Sequence, residues 1–152
     1  MKVYIDMDGV IADFHSWMKS YIPDINESMW KESNRPWKIM EENYKEVYLN
    51  LEPLHFLDYA NYLYSNLDDV KFLTAIPHSW WDTSKGEIAK LNKTEWLNKY
   101  INNFNEEDVI FSKGAGDKLR YVERGAVLYD DRTDTVEKWN AAGGIGILVK
   151  GV

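Results

Sequence analysis

Apolar positions in this chain gather into five short runs with little charge: Lys2 to Ile5, Val70 to Leu73, Val109 to Phe111, Ala126 to Tyr129 and Ile145 to Val149. Runs of this kind predict strands buried on both faces, as in a parallel sheet. Between them the pattern changes to a helical period, over Leu54 to Leu67, Ile88 to Ile101, Gly116 to Arg124 and Thr133 to Ala141. Gly125 follows the third of these segments and Gly143-Gly144 closes the fourth, where a helix needs a residue free to adopt left-handed backbone. Strands alternating with helices predict βαβ units and an α/β fold.

One connection breaks the rhythm. The first and second strands are separated by Asp6 to Asp69, far more than the dozen or so residues that a crossover needs. The helix from Leu54 fills only part of it. The excess, residues 14–52, holds Trp17, Tyr21, Trp30, Trp37, Tyr44 and Tyr48 and reads as two or three short helices, a small cap inserted after the first strand. The core is then 1–13 and 53–152. The cap's aromatics fit either a core of its own or a wall on which a flat ring stacks.

Composition narrows the setting. A chain of 152 residues suits one domain that buries roughly 70% of its unfolded surface. With no cysteine it forms neither disulfides nor thiolate metal sites, so a cytoplasmic location is the default expectation. No run approaches the roughly 20 apolar residues of a membrane span, and a net charge of −7 disfavours nucleic acid polymers and membrane surfaces as partners. A small anion needs only a local field.

The chemistry sits at the predicted strand ends. Asp6 and Asp8 follow the first strand, Thr74 the second, and Asp130-Asp131 the fourth, where open α/β sheets place their ligands. So many carboxylates at one edge call for a hard divalent cation, and Mg²⁺ suits one or two carboxylates plus a phosphate oxygen. A calcium loop starting at Asp6 is excluded, because Val10, Ile11 and Trp17 occupy positions that need a ligand, a glycine and a glutamate. Lys113 to Lys118 lacks the spacing and the Ser or Thr of a nucleoside-triphosphate loop, and His15, His55 and His78 lack metal-ligand spacing.

Phosphoryl transfer gives each member a task. Asp6 is the nucleophile, forming an acyl phosphate, and Asp8 protonates the leaving oxygen and then activates water. Thr74 and Lys118 supply donors and fixed positive charge for the phosphoryl oxygens. Read singly, Thr74 is more readily a cap and Lys118 an exposed helix lysine, and it is their place in the ordered set that favours the phosphoryl role.

The order Asp6-Met7-Asp8-Gly9-Val10, Thr74, Lys118, Asp130-Asp131 resembles the four motifs of the haloacid-dehalogenase-like (HAD) phosphatases over essentially the whole chain. Within that superfamily, DMDGVIADF (Asp6 to Phe14), LEPL (Leu51 to Leu54), KTEWLNKY (Lys93 to Tyr100) and DDRTD (Asp130 to Asp134) resemble the 5'(3')-deoxyribonucleotidases. The resemblance implies a Rossmann-like, three-layer α/β/α core with a five-stranded parallel sheet and a small helical cap. It also implies Mg²⁺ dependence and hydrolysis of nucleoside monophosphates through an aspartyl-phosphate. Asp6, Asp8 and Asp130 would hold the metal, Asp8 through its carbonyl. Thr74, Lys93 and Lys118 would surround the phosphate, Gly9 and Asp131 would support the site, and Phe14, Trp37 and Arg132 would contact substrate. Ala75, Pro36 and Thr133 stand where the family more often has a hydroxyl residue, an aromatic and a proline.

Two alternatives stay open. The motifs specify phosphoryl transfer rather than the leaving group, so a sugar-phosphate phosphatase fits as well. A phospho-acceptor signalling module uses similar residue types, but in a different order and without a cap. Exposed cap aromatics would suit a homodimer contact.

Overall fold

A computed structural model describes residues 1–150. Strands β1 (Val3–Ile5), β2 (Val70–Ile76), β3 (Val109–Lys113), β4 (Val127–Asp130) and β5 (Ile145–Leu148) form an all-parallel sheet in the order β3-β2-β1-β4-β5. Val3, Ile5, Phe72, Ile76 and Val127 face an apolar cluster with α4 (Phe56–Asn66) and α5 (Ser84–Tyr100). Tyr4, Leu73 and Leu128 face the other way, onto Trp139 of α6 (Thr133–Ala141). This alternation of faces along each strand builds a three-layer, Rossmann-like α/β fold. Among the described residues no helix is long and apolar enough to cross a membrane.

Several element boundaries differ from the sequence reading. β2 continues to Ile76 and β3 to Lys113, because they pair with each other from Phe72 opposite Val109 through Ile76 opposite Lys113, beyond the end of β1. Thr74 therefore lies inside β2 rather than after it. Helix α5 starts at Ser84 instead of Ile88, since the Thr83 hydroxyl accepts the Gly86 N–H and caps it. The predicted helix from Gly116 to Arg124 is a 3-10 segment, Ala115–Tyr121. Gly114 turns into it with φ +72°, and Gly116 is a poor α-helix former. The three-residue repeat puts Ala115, Lys118 and Tyr121 on one side.

The insertion forms α1 (Phe14–Lys19), α2 (Glu27–Glu32) and α3 (Arg35–Glu42). Asp13 and Asn26 cap the first two through their side-chain oxygens, and Pro36 sits in the first turn of the third. Its two ends meet at a neck: Asp13 N–H donates to Glu52 O and Leu54 N–H to Ile11 O, both at 2.8 Å. The insertion has no separate core. Met18, Ile22, Met40, Val47, Tyr48 and Leu51 join the cluster of α4 and α5, and each such burial contributes roughly 1.5–3 kcal/mol.

Candidate active site

From β1 the chain proceeds through β2 to β3 on one side, then crosses back to β4 and β5 on the other. The gap between β1 and β4 is thus a topological switch point, the place where open α/β sheets leave a crevice for ligands. Ile5 pairs with Tyr129, so Asp6 and Asp130 leave the ends of adjacent strands side by side, and Asp6 N–H extends the ladder to Tyr129 O at 2.9 Å. Both aspartates share the parity of Tyr4 and Leu128 and so belong to the α6 face. The 3-10 segment presents Lys118 on that face. Its Nζ lies 2.9 Å from Asp6 Oδ1 and 2.8 Å from Asp130 Oδ2.

The loop after β1 is held by its own backbone. Met7 N–H donates to Asp6 Oδ1 at 2.8 Å, and the amides of Val10, Ile11 and Ala12 converge on Met7 O. Gly9 has φ +81°, and a Cβ there would collide with the Asp131 carboxylate. Glycine is needed both for the backbone and for the close approach. Asp131 in turn joins Asp6 and Asp130: one oxygen from each lies within 4.8 Å of the others. The Asp8 carboxylate is not in that cluster. Its Oδ2 accepts from Lys93 Nζ at 3.1 Å, and its Oδ1 is buried without a hydrogen-bond partner.

Thr74 has the opposite strand parity, that of Phe72 and Ile76, and so meets α5. Lys93, fully buried on that helix, donates to Thr74 Oγ1 at 2.6 Å, to Ala75 O at 2.8 Å and to Asp8. The ring of Tyr48, from the insertion, lies 4.3 Å from the same Nζ. Sequence reasoning missed Tyr48 as a site neighbour; its position three residues before the LEPL segment was the available signal.

Phe14 packs on Trp17, Trp30 and Tyr48 with ring centroids 5.9, 5.9 and 6.2 Å away. Trp37 is 40% exposed, edge-on to Trp30 at 5.0 Å. These rings form a partly open wall that reaches the acidic site through Tyr48 and Lys93. Arg132 divides its roles: its N–H donates to Asp130 Oδ1 at 3.0 Å, while its guanidinium forks onto Asp134, both contacts at 3.2 Å. The exposed side chain is therefore engaged in a surface ion pair.

Burial, and then the charge of Asp130, lift the Asp6 carboxyl well above its ordinary range despite Lys118. Burial and Asp130 likewise push Asp131 up to about 6. Burial works against the Lys118 ammonium, but Asp6 and Asp130 outweigh it and hold it above its ordinary value. One ammonium cannot answer two buried carboxylates and a third, half-buried one beside them. Among the described residues, Asp6, Asp8, Asp130 and Asp131 form ion pairs only with Lys93 and Lys118, while the Arg132 guanidinium is taken by Asp134, which leaves two formal negative charges. That surplus and the oxygen-only donor set fit one divalent hard cation such as Mg²⁺.

No protein-family model and no curated protein matches this chain.

Proposed function

We propose that the chain is a Mg²⁺-dependent phosphatase of the HAD type that hydrolyses nucleoside monophosphates, in the manner of a 5'(3')-deoxyribonucleotidase. The observation that carries this reading is the meeting of Asp6 and Asp130 at the switch point, bridged by Lys118, with the Asp8–Lys93–Thr74 group beside them.

Asp6 is the nucleophile. Its Oδ1 is committed to Met7 N–H and Lys118, which leaves Oδ2 to attack phosphorus. Lys118 favours the anionic form of Asp6 against burial and Asp130, and fixes its rotation. Asp8 donates a proton to the departing ester oxygen and later takes one from the water that cleaves the aspartyl-phosphate. Lys93 and Thr74 stand ready for the phosphoryl oxygens, with the donor from Lys93 to Asp8 the longest of its three bonds and the easiest to exchange. Asp6, Asp130 and Asp131, with Asp8 through its carbonyl, would hold Mg²⁺. When bound, the cation neutralises the carboxylates and the charge on the transferring group. Phe14, Trp30 and Trp37 offer apolar faces to a base, which is why a nucleoside is favoured over a sugar as the leaving group.

Phosphate release with Mg²⁺ from deoxyribo- and ribonucleoside monophosphates, set beside simple sugar phosphates, tests the proposal. Nucleotide preference supports it. Equal turnover of sugar phosphates keeps the mechanism and removes the base from recognition, and a stable phosphoprotein without turnover points to a phospho-acceptor instead.

A further inference from the structure

The Lys93 ammonium has three N–H donors, and all three are used: on Asp8, Thr74 and the carbonyl of Ala75. The Thr74 and Ala75 contacts lie on β2 and the Asp8 contact on the loop after β1. The Tyr48 ring, 3% exposed and 4.3 Å from Nζ, provides the aromatic contact from the insertion. A desolvated ammonium keeps its place against a π face more firmly than against a saturated side chain of the same size.

The same tyrosine is tied to the rest of the insertion. Its ring stacks on Phe14 at an interplanar angle of 25°. The segment around it is fastened along α5: Glu41 accepts from Lys85 and from Trp80 Nε1, Lys45 O accepts from Asn92 Nδ2 at 2.9 Å, and Leu51 O accepts from Trp96 Nε1 at 2.8 Å. Residues 41 to 51 thus run beside residues 85 to 96 as a fixed seam. Tyr48 lies in the middle of that seam, with the aromatic wall on one side and the phosphate-facing lysine on the other.

We propose that Tyr48 is a positioning residue whose ring holds the Lys93 ammonium in register with Asp8 and Thr74, so that the aromatic insertion orients a donor for the phosphoryl group. The catalytic part of this statement rests on the phosphatase reading; the positioning of Lys93 does not. The ring, rather than the hydroxyl, carries the role. Lys93 serves the phosphoryl group common to every ester, so loss of the ring lowers turnover whether or not the substrate carries a base. A residue that only lined a base pocket would affect nucleotides alone.

The experiment compares wild type with Tyr48→Phe and Tyr48→Leu, with kcat and KM measured on a nucleoside monophosphate and on glycerol phosphate, and with the Lys93 ammonium followed by ¹H–¹⁵N NMR. Tyr48→Phe is expected within about twofold of wild type, and Tyr48→Leu is expected to lose about thirtyfold in kcat on both esters with little change in KM, the size of a desolvated cation–π contact. The protected ammonium signal should persist in the first variant and vanish in the second. Should Tyr48→Leu fail to fold, increasingly fluorinated phenylalanines at position 48 keep the shape while draining the π face, and kcat should fall stepwise with fluorination. Unchanged kcat in Tyr48→Leu or along the fluorinated series, an equal loss in Tyr48→Phe, or loss confined to the nucleotide overturns the proposal. If wild type hydrolyses neither ester, the phosphatase reading fails by itself. The ammonium signal then still decides the positioning: its loss in Tyr48→Leu supports it and its persistence overturns it.

Discussion

Two charge networks occupy opposite ends of the same sheet. At the amino ends of β2 and β3, Asp108 accepts from Lys71 Nζ and from Tyr64 OH, both at 2.6 Å, and Tyr64 OH accepts from Asn105 N–H at 3.0 Å. Each group is answered. Burial pushes the Asp108 carboxyl up, but the hydrogen bonds from Lys71 and Tyr64 outweigh it and hold it below its ordinary value. At the carboxyl ends, buried Asp6 and Asp130 share one lysine, Asp131 is driven up to about 6, and one oxygen of Asp8 has no partner. The first network is satisfied by the fold itself, whereas the second keeps a surplus of negative charge and an unpartnered oxygen. A polar network left in deficit at a switch point is a stronger pointer to function than a balanced one.

Substitutions should separate the two ends by sign. Asp6→Asn removes the proposed nucleophile, and phosphate release should fall at least about a thousandfold. In metal-free protein at pH 8 the same change should leave the thermal midpoint equal or higher, because a buried surplus charge is gone. A wild-type rate in this variant would falsify Asp6 as nucleophile. Lys118→Met should be the most damaging to stability, costing about 3–5 kcal/mol in urea unfolding, since Asp6 and Asp130 lose their shared counterion. A loss under about 1 kcal/mol would show that the carboxylates resolve their repulsion by taking up protons instead.

Mg²⁺ comes next in size. The folded-state value of about 6 for Asp131 lies above the ordinary value of 3.8, so proton binding there stabilises the fold fully below about pH 4, and this support is lost as pH rises through about 6. Cation binding should therefore raise the unfolding free energy at pH 7.5, by up to about 2.7 kcal/mol at a hundredfold excess over Kd, and have little effect at pH 5. Calorimetry with and without Mg²⁺ at the two pH values reads this directly, and equal gains at both would remove Asp131 from the cation site. Asp108→Asn is the smallest effect and opposite in sign to Asp6→Asn. It should lower stability by about 1 kcal/mol or less at pH 7, because the Lys71 pair is partly exposed. The lowered carboxyl makes that contribution present above about pH 4 and lost as pH falls through its depressed folded-state value. A stability gain at pH 7 would erase the contrast between the two ends.

Much of the fold was legible in the sequence because the central strands β2, β1 and β4 are buried on both faces and stand out as apolar runs, whereas the edge strands β3 and β5, read the same way, are partly exposed. The carboxyl ends of the strands were less legible. Thr74 and Ser112 look like the residues after a strand, yet both are buried within the β2–β3 pairing, which polar side chains tolerate when a partner such as Lys93 or Gly114 O is at hand. The 3-10 segment bearing Lys118 was hidden for a related reason, since one turn's spacing reads much like another over seven residues. Arg132 illustrates the limit of a motif: its place beside Asp130 was visible, but not the engagement of its guanidinium with Asp134.

The sequence by itself determined the alternation of strands and helices, the length and aromatic content of the insertion, and the set of acidic, hydroxyl and lysine residues from which the site is built. Those follow from local periodicity and residue chemistry. Tertiary structure alone decided the pairings: Lys118 with Asp6 and Asp130, Asp131 rather than the Asp8 carboxylate in the acidic cluster, and Lys93 between Asp8, Thr74 and Tyr48. The reason is that strand order and register set which side chains share a face of the sheet. The packing of a 3-10 segment and a long helix against its two sides then sets which lysine reaches which carboxylate.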